Sequence, residues 1–170
     1  MESAPRLKDV AFGDGLLRFR IPAGWIEGQE SDGSGAFYDE SLDGGTLRLK
    51  VMTFTSEEDL TGHVALEELE AMQPEPGQKL ELLPNGNALR SHREESEANG
   101  ERTVFHIWLL ASIDAPHQMR LAVFSFTSLA TEANALATRR LVLTLDREIR
   151  QALFVHQISQ SDRGRTDSPS

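Results

Sequence analysis

The chain of 170 residues contains no cysteine, which excludes disulfides, thiolate metal sites, cysteine nucleophiles and redox dithiols together. Nowhere does it approach the run of about 18 apolar residues that a membrane-spanning helix needs. Met1 to Val10 carries Glu2 and Asp9 without an apolar stretch of secretory-leader length, so a cytoplasmic location is expected. Gly-rich phosphate loops of the G-x-G-x-x-G or G-x-x-x-x-G-K-[ST] kind are absent, as is an H-E-x-x-H metal frame. Ser34 stands between Gly33 and Gly35, but no apolar strand precedes it to mount a G-x-S-x-G elbow. The neighbouring acids Asp39-Glu40 and Glu94-Glu95 project to opposite faces of an extended strand and cannot share a proton. These gaps point away from an enzyme, and no catalytic residue, metal or cofactor is assigned.

What is present is a balance of 39% hydrophobic and 26% charged residues, that of a folded domain. A chain of this length buries roughly 70% of its unfolded surface in a single core. Its 27 acids against 17 Lys and Arg give a net charge of −10, which argues against nucleic acid and anionic membrane as partners. The basic residues are mostly Arg, as GC-rich bacterial coding produces. Acids crowd Glu27 to Asp43 and Glu57 to Glu81, whereas Arg102 to His156 is richer in Arg, so an acidic lobe is expected at one end.

Leu17, Phe19 and Ile21 alternate with Arg18 and Arg20 before Pro22-Ala23-Gly24 breaks the run, the pattern of a half-buried strand, and Trp25 anchors the turn that follows. Val10 to Phe12 fits a short edge piece folded back through Gly13-Asp14-Gly15. Ala36 to Tyr38 and Leu47 to Val51 fit a hairpin. A helix is expected from Ser56, with Val64, Ala65, Leu69 and Met72 on one face, ended by Pro74 and Pro76. Asn85-Gly86 and Asn99-Gly100 supply the positive φ angles of tight hairpin turns. Thr103 to Ile113 and Met119 to Thr127 are apolar on both faces, which places them centrally with cover on each side. The last helix is expected from about Thr131 to about Val155, with Val142, Leu145, Ile149 and Leu153 as its buried stripe.

The order β-β-β-α-β-β-β-β-α specifies an α+β domain over residues 1–156. Its sheet is mostly antiparallel, about 6–7 strands by this count, and packs with two main helices; residues 157–170 form a disordered tail. The segment Leu17-Arg18-Phe19-Arg20-Ile21-Pro22-Ala23-Gly24-Trp25, followed by a hairpin, a helix, a meander and a long final helix, resembles the PsbP-like group. That group includes the oxygen-evolving photosystem subunit, the Ran-binding Mog proteins and bacterial DcrB-like domains. The likeness runs from about Leu16 to Phe154 by element order, and it implies a non-enzymatic role in binding or assembly.

Two metal readings meet bland alternatives. Asp39, Ser41, Asp43 and Gly44 match the start of an EF-hand loop, but Lys50 stands where its bidentate Glu belongs, and a hairpin turn explains the segment better. His63, Glu67 and Glu70 share one side of the first helix, as a solvated acidic face also would. Two binding surfaces remain. Arg18 and Arg20 on the first strand and Arg48 and Lys50 on the third form a cationic patch for an anionic ligand if those strands are neighbours; pairing with the chain's own carboxylates is the alternative. His106 and Trp108 would border that patch. On the last helix, Leu136 and Leu143 lie opposite the buried stripe, framed by Arg139, Arg140 and Arg147, as at a protein contact or a self-association surface. A loop or the N-terminal arm covering those leucines is the other possibility there. A protein-binding domain is the leading expectation, and an anion-binding module the second.

Overall fold

The computed structural model describes residues 6–40, 45–55, 57, 59, 69, 79–133 and 135–155. Among the described residues ten strands form two sheets. The chain opens with the hairpin β1 (Leu7–Phe12) and β2 (Leu17–Pro22), turned by Gly13, Asp14 and Gly15, all at positive φ, as the short-edge expectation required. It continues through β3 (Ile26–Gln29), β4 (Gly35–Tyr38) and β5 (Thr46–Thr55). After residues 56–78, of which Leu69 is helical and buried, come β6 (Lys79–Leu82), β7 (Ala88–Ala98), β8 (Glu101–Ala115) and β9 (Gln118–Leu129). Helices α1 (Ala130–Ala133) and α2 (Leu136–Arg150) and the two-residue strand β10 (Leu153–Phe154) close the described chain. The rest of the helix expected from Ser56, the remainder of the EF-hand-like loop, His63, Glu67, Glu70 and the tail 157–170 lie outside the described residues.

The larger sheet has seven strands in the order β3-β4-β5-β9-β8-β7-β6, every neighbouring pair antiparallel. The doubly apolar strands β8 and β9 are its middle, as expected. The Asn99-Gly100 turn, with φ of 54° and 81°, closes β7 onto β8 and sets their register. One face of this sheet carries Leu47, Leu49, Trp108, Leu110, Phe124 and Phe126, all buried. The three-stranded sheet β1-β2-β10 lies over that face beside α2. Phe19 meets Phe37 and Phe124 edge-on at 5.5 and 5.3 Å, and Trp25 stacks on Phe126 at 6.3 Å. The opposite face holds a smaller core of Ala88, Ala111, Met119 and Leu121 under Leu69.

The α+β class and the element order hold, with two corrections. The sheet is split in two, because β1 and β2 pair with each other and stack on the larger sheet. The last helix ends at Arg150: Gln151 and Ala152 bond the carbonyls of Glu148 and Ile149, three residues back, which tightens and stops the helix. Leu153, expected in the buried stripe, is 55% exposed, and Phe154 fills the core as β10 pairs with β2.

Candidate functional site

Three polar ties clamp the inner face of α2. Trp108 Nε1 donates to Asp146 Oδ1 at 3.0 Å, Arg150 bridges Asp146 and Glu81, and Arg20 reaches across from β2 to Glu148. Between these ties Leu145 and Ile149 are fully buried. Arg147 and Arg150 in the last turn complement the helix dipole. With the inner face used up, the outer face presents Leu136 and Leu143, 60% and 70% exposed and seven residues apart, together with Arg139, Arg140 and Arg147. Among the described residues nothing covers these two leucines, so the covering arm or loop considered as the alternative is not found there.

Beside Leu143 the helix and the larger sheet part, leaving an open cavity of about 340 Å³ lined by Arg93, His106, Ala133, Arg139, Val142 and Leu143. The register of β7 with β8 sets Arg93 opposite His106, and His106 stacks on Trp108 at 6.2 Å. Burial first, and the charge of Arg93 second, hold the His106 imidazole below its usual 6.5. Because the folded state resists protonation here, His106 contributes stability that is fully present above 6.5 and is lost as pH falls through 6.5 toward the lower folded value. Melting temperature measured against pH for the native chain and for His106→Gln should show a shallower acid slope in the variant; identical slopes would contradict the assignment.

Arg93 also pairs with Glu95 at 3.1 Å, and Arg102 with the same carboxylate at 2.6 Å. Arg139 makes no ion pair among the described residues. Glu95, Arg93 and Arg102 thus link the cavity to a second hollow of about 440 Å³, lined by Gly100, Glu101, Arg102, Leu129, Ala130 and Thr131.

The sheet patch is not brought together. Phe19 points into the space between the sheets, so Arg18 and Arg20 leave the outer side of the three-stranded sheet; Arg48 and Lys50 leave the far side of the larger one. Pairing with the chain's own carboxylates, the alternative weighed for this patch, accounts for Arg20 with Glu148 and Arg48 with Glu30 at 2.8 Å. Glu81 binds Arg150 rather than a residue of this patch. Trp108 is core, and His106 borders α2 rather than Arg18. Arg93 was missed by sequence reasoning, although counting outward from Asn99-Gly100 sets it opposite His106. No group of three or more metal-ligating side chains occurs among the described residues, and no described helix is long and apolar enough to cross a membrane.

No protein-family model matches the sequence, and no curated protein matches it. Solved structures do. LpqN, involved in cell envelope biogenesis of Mycobacterium tuberculosis, superposes with a TM-score of 0.59 at 14% identity over 88% of this chain and 91% of its own. A variant of the protein Mog1 gives 0.52 at 11% identity over 89% and 97%. A protein of Bacteroides thetaiotaomicron VPI-5482 gives 0.52 at 16% over 72% of this chain, which spans 42% of that longer one. At these identities the likeness is one of fold, and the fold is PsbP-like, as the Leu17–Trp25 segment and the element order implied. None of the three is named for a catalytic activity.

Proposed function

We propose that the chain is a non-catalytic interaction domain that receives a protein partner on the outer face of α2, the partner offering an acidic segment with an apolar side chain. One observation carries the reading: Leu136 and Leu143 stand in water on a helix whose inner face is fully clamped. Exposed leucines on a described surface framed by arginines have the composition of a contact surface. Charge supplies the partner's sign, because Arg139, Arg140 and Arg147 concentrate positive charge on a chain of net −10. The PsbP-like fold supports a binding role by analogy only.

The test is quantitative capture from the native cell by the native chain, Leu143→Asp and the control Arg18→Asp. An Asp at the centre of the contact loses apolar area and repels an acidic segment. The expected result is a partner whose affinity falls at least roughly tenfold with Leu143→Asp, is unchanged by Arg18→Asp, and weakens with added salt. Equal capture by the Leu143 variant would overturn the reading. Light scattering covers the case of a second copy: a dimer that Leu143→Asp returns to monomer identifies the chain as its own partner. A cytoplasmic location belongs to the same reading, and fractionation of the native cell checks it; recovery in the envelope, the setting named for LpqN, would contradict it.

A further inference from the structure

The cavity between α2 and the β7–β8 hairpin combines two kinds of wall. Arg93, Arg139 and His106 supply hydrogen-bond donors and positive charge, and Ala133, Val142 and Leu143 supply apolar surface. Arg139 has no carboxylate among the described residues, and Arg93 shares Glu95 with Arg102, so its guanidinium is only partly occupied. Glu95, two residues from Arg93 on the same face of β7, is held by Arg93 and Arg102, and the other carboxylates on the surrounding elements are engaged away from the cavity: Asp146 on α2 binds Trp108 and Arg150, Glu148 binds Arg20, Glu94 on β7 pairs with His92 on the opposite face of the strand, and Ala133 rather than Glu132 lines the cavity from α1. From β9, Phe126 stands opposite His106 and is apolar. A hollow of about 340 Å³ is too large for a bare ion and sized for a small organic molecule.

We propose that this cavity binds a small organic anion, its oxyanion headgroup held between Arg93, Arg139 and His106 and its short apolar body laid against Ala133, Val142 and Leu143. Carboxylate and phosphate share the headgroup chemistry, since both accept the planar donors of Arg in pairs. The site shares Leu143 with the docking face but does not rest on it, because the ligand binds the chain alone.

Binding also engages His106. An anion against the imidazole favours its protonated form, so the ring should titrate at higher pH when the site is filled, and affinity should rise as pH falls through that range.

The experiment follows the His106 ring by NMR in the full chain at constant ionic strength, titrating acetate, hexanoate, inorganic phosphate and phenyl phosphate. The expected result is an upward shift of the His106 titration and tighter binding by the anions with apolar bodies, about three- to fourfold for each methylene buried. At roughly ten times the dissociation constant the melting temperature should rise by about 3–5 °C. Which headgroup series binds more tightly identifies the ligand as a carboxylic acid or a phosphate ester. Arg139→Gln and Arg93→Gln, both exposed and so expected to melt in chloride like the native chain, should each remove the shift. No shift with any of the four anions, equal affinity for acetate and hexanoate and for the two phosphates, or a shift that survives both variants would overturn the proposal. Because no partner protein enters the assay, that failure leaves the docking reading standing, and loss of docking leaves this one standing.

Discussion

Phe124→Ala should cost about 3–5 kcal/mol, the largest effect of any single change considered for this chain. Phe124 has no exposed surface, sits on the central strand β9 between Leu49 and Trp108, and receives the edge of Phe19 from the other sheet at 5.3 Å. Truncation removes an aromatic pair worth about 0.5–1.5 kcal/mol beyond its area, and leaves a void that side chains on three elements cannot refill without moving their backbones. In denaturant unfolding the midpoint should fall sharply with the slope unchanged. Phe54→Ala, at an exposed position on the neighbouring strand β5, should lie within about 1 kcal/mol of the native chain. Equal losses at the two positions would mean that the sheets do not face each other through Phe124.

Arg20→Ala is the second. Glu148 is 2% exposed and Arg20 48% exposed, so the carboxylate has surrendered its water and the guanidinium has kept much of its own. Removing Arg20 leaves a buried anion without its cation, a loss of about 3–5 kcal/mol for a fully buried pair. Screening of the half-exposed Arg20 reduces this to about 2–3 kcal/mol. The discriminating measurement is the double variant Arg20→Ala with Glu148→Gln. Neutralising the orphaned acid should return more than half of the loss, because the cost lies in the unpaired charge rather than in the contact. If the double variant is as unstable as Arg20→Ala, the pair does not hold α2 to β2.

Much of this architecture is legible in the chain. Alternation in Leu17 to Ile21 places Phe19 inside and Arg18 and Arg20 outside, and the turn residues around Asp14 and Asn99 mark two hairpins where they occur. The doubly apolar runs on either side of Pro116 mark the middle of the larger sheet. Period-counting fails where two readings share a spacing: Leu153 follows Ile149 by four residues, as a helical stripe requires, yet the last turn tightens and the next residue, Phe154, is the one that returns to the core. Whether β2 and β5 are neighbours is a question of long-range pairing that no local pattern encodes, so the patch of Arg18, Arg20, Arg48 and Lys50 dissolves onto two sheets. The face of Leu136 and Leu143 survives because helical geometry alone sets it against the stripe of Leu145 and Ile149. The cavity needs both levels: hairpin register supplies Arg93 and His106, and only tertiary packing brings Arg139 and Val142 over them.

The placement of the partner on α2 is tested most directly by site-specific photo-crosslinking in the native cell, with a photoreactive phenylalanine analogue at position 143 and, in separate strains, at positions 18 and 50. The account expects a discrete covalent adduct from position 143, of one mass, and none from the two arginine- and lysine-bearing strand positions on the outer sides of the sheets. An adduct formed equally from position 18 or 50, or formed there and not at 143, would contradict it.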